Sequence, residues 1–112
     1  MYNIREMDVD TLEASKEGIH LIDVRTEGEV ARGVIGGATH IPLHLLPLRM
    51  DEIPQNKPVV IYCNSGARSA QACYFMNTKG FSNTHNLAGG ILAWARSGKP
   101  LTALQRMHTY QE

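Results

Sequence analysis

The sequence is poor in the features that would tie a chain down covalently or bury it in a bilayer. Only two cysteines and one tryptophan occur in 112 residues, too few for a disulfide framework of the kind that holds small secreted folds together. No apolar run approaches the roughly 20 residues that a membrane-spanning helix requires. Neither sign of charge is in excess, with 11 Lys plus Arg against 11 Asp plus Glu. No global field therefore draws the chain toward nucleic acid or an anionic membrane surface, and any selectivity for anions has to be local. The opening residues, Met1-Tyr2-Asn3-Ile4-Arg5-Glu6-Met7-Asp8, carry acids where a secretion signal places its apolar segment. A cytoplasmic location is expected, and in a reducing cytoplasm Cys63 and Cys73 are thiols rather than a bridge.

What is present is the composition of one globular domain over residues 1–112: 43% hydrophobic, 20% charged, and long enough to bury a core without metal or disulfides. Residues 8–17 read as a short helix with Asp8 as N-cap and a stop at Gly18. Residues 19–24 are short and apolar and read as a buried strand. Thr26-Glu27-Gly28-Glu29 has capping-box spacing, so a second short helix begins there. The glycine-rich segment 33–38 is irregular, 39–41 is a brief strand ended by Pro42, and 43–50 is helical with a break at Pro47. Val59-Val60-Ile61-Tyr62 is unbroken in its hydrophobicity, as a strand covered on both faces would be. Residues 67–79 form a helix ended by Gly80, with Ser69, Ala72, Cys73 and Met76 on its inward face. A strand at 84–88, a tight turn at Gly89-Gly90, a helix at 91–96 and a last helix at 101–107 complete the chain, with frayed final residues. Strands alternating with helices indicate an α/β domain with a mainly parallel sheet between helices.

In such a sheet, ligands sit at the carboxyl ends of strands, which is where Cys63 falls. A tight loop, Cys63-Asn64-Ser65-Gly66, then leads into a helix at Ala67 or Arg68. Loop N–H groups and the positive helix end point at whatever sits above the sulfur. The same groups lower a thiol from about 8.5 toward roughly 3.5–7.5, making Cys63 a thiolate nucleophile. Arg68 adds a planar cation suited to oxyanions such as a sulfonate. Asn64, Ser65 and Ser69 offer further donors, Ala67 lines the turn, and Gly66 lets the backbone approach a ligand closely.

Five segments in order carry a family resemblance: Leu21-Ile22-Asp23-Val24-Arg25, Gly37-Ala38-Thr39-His40-Ile41-Pro42, Ile61-Tyr62-Cys63-Asn64-Ser65-Gly66-Ala67-Arg68-Ser69, Leu87-Ala88-Gly89-Gly90, and Trp94. Together they resemble the single-domain rhodaneses. The resemblance implies a three-layer rhodanese-like fold and a sulfurtransferase working through a Cys63 persulfide, loaded by thiosulfate or a related donor and emptied by cyanide or a thiol. It implies no cofactor and no metal. Asn64, Ser65, Gly66, Ala67, Arg68 and Ser69 would bind substrate, with Asp23 and Arg25 as structural support beside them. Phosphatases of similar build place one residue more between cysteine and arginine, and here the position after Arg68 is Ser69, so a cradle sized for sulfur rather than phosphoryl is expected. Many rhodaneses have Gly-His-Ile-Pro-Gly-Ala where this chain has Gly33-Val34-Ile35-Gly36-Gly37-Ala38, a departure that bears on loop rigidity and substrate preference. The alternative is a persulfide carrier that acts only with a protein partner, such as a thiol or sulfur-carrier protein.

The remaining residues have plainer readings. Arg25 is placed to pair with Glu29 across a helical turn. Cys73 lies about two turns into the helix after the loop and reads as a packed thiol. His20, His40, His44, His85 and His108 show no metal-ligand grouping. Trp94 belongs to the core or to a subunit contact.

Overall fold

A computed structural model of the chain describes residues 3–103. Five short strands, β1 (Glu6–Met7), β2 (His20–Asp23), β3 (Thr39–His40), β4 (Val59–Tyr62) and β5 (Thr84–Leu87), form one sheet in the order β1-β5-β4-β2-β3. All neighbouring pairs are parallel. Parallel neighbours cannot be joined by a hairpin. The connections run through α1 (Val9–Ser15), α2 (Glu27–Val30) and α3 (Ala67–Thr78) and through short 3-10 turns, and α4 (Gly90–Arg96) follows β5.

Side-chain alternation along β4 sorts the core into two halves. Val59, Ile61 and, one step on, Cys63 share a cluster with Ile22 of β2 and with Ala72, Cys73 and Met76 of α3. Val60 and Tyr62 face the opposite way, onto Val9 and Leu12 of α1 and Ile91 and Trp94 of α4. The sheet is thus the middle of three layers, as expected. β4 is buried at every position, because it is central and covered on both faces. The same alternation aims Cys63 beneath α3.

Local chemistry sets the element ends. Asp8 caps α1, its Oδ1 accepting from the Thr11 amide at 2.8 Å. Thr26 and Glu29 form the full capping box of α2. The expected inward face of α3 is the observed one: Ser69, Ala72, Cys73 and Met76 are its buried residues. Trp94 is core, donating from Nε1 to the Pro100 carbonyl at 2.8 Å.

Two expectations change, and one strand is new. Residues 43–50 are not an α-helix interrupted at Pro47 but a 3-10 helix over Leu43–Leu48 that contains Pro47, followed by a second over Met50–Glu52. Proline removes the donor an α-helix would use there, and the segment takes the tighter 3-10 winding over six residues, long for that form. The helix proposed over 101–107 is absent from its described part: Thr102 instead exchanges two backbone hydrogen bonds with Val34, at 2.8 and 2.7 Å, and residues 104–107, like the frayed end and His108, lie outside the described residues. β1 had no expectation. It is two residues long and gains its definition from pairing with β5.

The start of α4 leans on the loop after β4. Ile91 N donates to the Cys63 carbonyl at 3.0 Å and Leu92 N to the Asn64 carbonyl at 3.1 Å. A Cβ on Gly90 would stand 2.5 Å from the Asn64 oxygen and 2.6 Å from the Cys63 oxygen, at a φ of +62°. Gly90→Ala should therefore lower unfolding stability by about 1–3 kcal/mol, read as a fall in denaturant midpoint at unchanged slope. Gly18→Ala, where an added Cβ meets nothing within 4 Å, should leave the midpoint in place or raise it.

Candidate active site

Cys63 leaves β4 on the α3 side with its residue only 1% exposed. Burial of that kind ordinarily keeps a thiol neutral, yet polar donors converge on this one. Gly66 N lies 3.1 Å from Sγ, and Ser69 supplies both its backbone N and its Oγ at 3.4 Å. Gly66 sits at a φ of +114°, a left-handed turn that swings the chain back over the sulfur before α3 begins. The loop's carbonyls go the other way, those of Cys63 and Asn64 being taken by the first amides of α4. Donors thus face inward and acceptors outward. Burial pushes the Cys63 thiol up, but the Ser69 hydroxyl and the amides of Ser69, Gly66 and Ser65 outweigh it and leave the pKa below the ordinary value.

The expected site residues come together on this loop with different surroundings. Asn64, Ser65 and Ala67 are exposed on its rim, and Ser69 is fully buried beneath it. Arg68 does not stand open. Its guanidinium makes a bidentate pair with Glu29 of α2, Nη1 to Oε1 at 2.7 Å and Nη2 to Oε2 at 2.8 Å. The guanidinium holds the Glu29 carboxyl down at about 2, so both groups are charged at every physiological pH.

That pairing corrects the expected Arg25–Glu29 contact. Arg25 turns inward to Asp23, donating from Nη2 to Oδ2 at 2.7 Å and from Nε to Oδ1 at 3.0 Å, while its backbone N also reaches Oδ1 at 2.9 Å. Both residues are buried, and an exposed helix-face bond to Glu29 cannot compete with a desolvated bidentate one. Arg25 Nη2 also reaches the Gly33 carbonyl at 2.8 Å. The Tyr62 hydroxyl accepts from Ile35 N at 3.0 Å. The irregular 33–38 segment, which lacks the histidine and proline common among rhodaneses, is thus held by a cation at one end and a phenol in its middle.

Two contributions at the site had no expectation attached. Glu29 was read as a capping residue and a partner of Arg25, and its bond to Arg68 depends on a contact 39 positions away in sequence. Asn86 lies on β5, 3% exposed. Its Nδ2 donates to the Gly66 carbonyl and to Glu6 Oε2, both at 3.1 Å, and its Oδ1 accepts from Ser69 Oγ. The available signal was weak, because β5 reads Thr84-His85-Asn86-Leu87 and a polar residue does not stand out in it; a buried amide there must still find partners.

Cys73, also 1% exposed, has the opposite environment. Burial pushes its thiol up to about 12, opposed only in part by a bond from Thr84. Its reading as a packed thiol holds. His40 Nε2 lies 2.7 Å from the Arg25 carbonyl oxygen, and among the described residues no group of three or more His, Cys, Asp or Glu is placed to hold a metal ion. Nor is any described helix long and apolar enough to cross a membrane.

Comparison with known proteins agrees with this geometry. The family model for the rhodanese-like domain matches residues 8–97. A sulfurtransferase of Allochromatium vinosum is 48% identical over 103 residues, covering 89% of this chain and 96% of that protein. The putative sulfurtransferase YtwF of Bacillus subtilis is 40% identical over 91 residues, covering 81% and 86%. Among solved structures, the rhodanese-related protein of Thermoplasma volcanium superposes with a TM-score of 0.82 at 28% identity, covering 88% of this chain and 97% of that one. Its parallel three-layer fold, the cysteine loop at the carboxyl edge of its central strand and these matches make the chain a member of the rhodanese-like family.

Proposed function

We propose that the chain is a sulfurtransferase enzyme that carries sulfane sulfur as a persulfide on Cys63, taking it from thiosulfate or a related persulfide donor and passing it to cyanide or a thiol acceptor. Sulfur transfer in the general sense follows from the family and its sulfurtransferase relatives. The observation that carries the finer reading is the set of donors on one buried sulfur, Gly66 N, Ser69 N and Ser69 Oγ. In the first step the Cys63 thiolate attacks the outer sulfur of thiosulfate. The S–S bond breaks with its electron pair leaving on sulfite, and Cys63 becomes Cys–S–S⁻. In the second, the acceptor attacks that outer sulfur and the electron pair returns to Cys63. Splitting one transfer into two displacements is covalent catalysis, and neither step needs a histidine once the thiol is ionised.

In this reading the outer sulfur and its anionic donor lie against the loop amides. Asn64, Ser65, Gly66, Ala67 and Ser69 form the walls, and Arg68 attracts the sulfonate. Asp23 and Arg25 support the floor without touching substrate. Because Cys63 is almost wholly covered, the reacting end of a donor must be small. The acceptor is a small molecule, a thiol, or the thiol of a sulfur-carrier protein.

Incubation with thiosulfate followed by intact-mass measurement should add one sulfur atom to the wild type and to Cys73→Ser, and none to Cys63→Ser. Turnover to cyanide with saturation would mark the chain as an enzyme, whereas a persulfide that only a protein partner unloads would mark it as a carrier. Alkylation at pH 7 should modify Cys63 and spare Cys73, whose thiol is held at about 12; modification of Cys73 first would overturn the assignment. Arg68→Gln should raise KM for thiosulfate about tenfold, the scale of one charge-assisted hydrogen bond. Glu29→Gln, which releases the guanidinium from its present partner, should lower that KM; a rise would mean that Glu29 only positions the arginine.

A further inference from the structure

The Ser69 hydroxyl faces two acceptors and has one proton. Its oxygen is 3.4 Å from Cys63 Sγ and also within hydrogen-bond distance of Asn86 Oδ1. The orientation of the Asn86 amide is not free. Its Nδ2 meets two groups that can only accept, the Gly66 carbonyl and the Glu6 carboxylate, so Oδ1 must face Ser69. An oxygen in that place cannot donate, so the bond between them uses the Ser69 proton. When it does, Ser69 presents only lone pairs toward the sulfur, an arrangement suited to a neutral thiol, which can donate to them, whereas the uncharged inner sulfur of a persulfide has little need of the proton. When Sγ carries the charge, the same proton is drawn to it.

We propose that the Ser69 hydroxyl is a two-position donor, and that Asn86 is the positioning residue that sets how much of it the Cys63 sulfur receives. The catalytic consequence rests on the persulfide reading above. During unloading, the acceptor forms its bond to the outer sulfur, the S–S bond breaks, and the electron pair arrives on Cys63 Sγ. The hydroxyl moves from Asn86 Oδ1 to meet that charge as it develops, and returns to Asn86 when the sulfur is loaded again. Gly66 N and Ser69 N are fixed by the backbone and cannot respond in this way. The charged groups on the elements packed around this network are Arg68 of α3, held by Glu29 of α2, Glu6 of β1, which bonds Asn86, and the mutually paired Asp23 and Arg25 at the end of β2.

The test is a titration of the Cys63 thiol by thiolate absorbance, in a Cys73→Ser background so that one thiol is read. Asn86→Leu removes the acceptor that competes with the sulfur for the Ser69 proton and should lower the midpoint by about one pH unit, a tenfold change in the thiolate-to-thiol ratio. In a Ser69→Ala background the same substitution should leave the midpoint unmoved. A midpoint that stays or rises when Ser69 is present, or one that falls equally without it, overturns the proposal; general damage to the loop would raise the midpoint in both backgrounds. If Asn86→Leu does not fold, Asn86→Ala is judged by the same criteria. The titration uses no sulfur donor. A chain that titrates as expected yet never gains sulfur would refute the proposed activity and leave the Asn86 assignment intact, and the reverse result would separate them the other way.

Discussion

Everything at the candidate site depends on how the backbone of one four-residue loop divides its polar groups. A peptide unit carries a donor and an acceptor, and a tight turn over a sulfur would ordinarily present both. Here the Cys63 and Asn64 carbonyls are drawn outward by Ile91 N and Leu92 N of α4, leaving the amides of Gly66 and Ser69 to face inward. An anion is stabilised only when the surrounding dipoles point one way before it arrives. α4 therefore acts on the sulfur without touching it, and Gly90 is confined to a hydrogen side chain because the loop and the helix must come this close.

A second strut lies under the first. Asp23 and Arg25 are buried as a bidentate pair at the end of β2, and Arg25 passes its remaining reach to the Gly33 carbonyl. Breaking such a pair from one side strands a charge in the core and costs about 3–5 kcal/mol, even though an apolar replacement of both partners could be neutral. Its value here is directional. It fixes the end of β2 and the start of the 33–38 segment together, while Tyr62, the residue just before Cys63, holds Ile35 from the neighbouring strand. A segment that lacks the usual proline is thereby held by side chains instead of by its own stiffness.

Much of this was legible in the sequence where the signal is local. The apolar run of β4, the Asp8 cap, the Thr26–Glu29 capping box and the inward face of α3 each follow from residues within a few positions of one another. Cys63 and its loop were legible for the same reason, since strand, glycine and helix start are contiguous. What sequence left hidden depends on partners far along the chain. β1 is defined by β5, some 80 residues away, the 101–103 segment by Val34, and Asn86 by Glu6, Gly66 and Ser69. The Arg25 error has the same origin. Helical spacing pointed Glu29 at Arg25, but the fold supplied Arg68 from α3 instead and gave Arg25 a buried carboxylate two residues away.

The exchange of arginines also resolves how a chain of zero formal net charge can favour an anion at one point. Long-range attraction would need unbalanced charge, and there is none to draw a donor in from a distance. Selectivity instead resides in short-range groups with different degrees of freedom. The amides are fixed, always oriented at the sulfur, and indifferent to pH. Arg68 is charged but already paired, so any anion that reached it would have to displace or share Glu29. The Ser69 hydroxyl is neutral and mobile between two acceptors. Under the proposed sulfur transfer, a charge that appears and disappears on one sulfur would be met by fixed dipoles for its average, a pre-neutralised cation for its partner, and a single movable proton for its change.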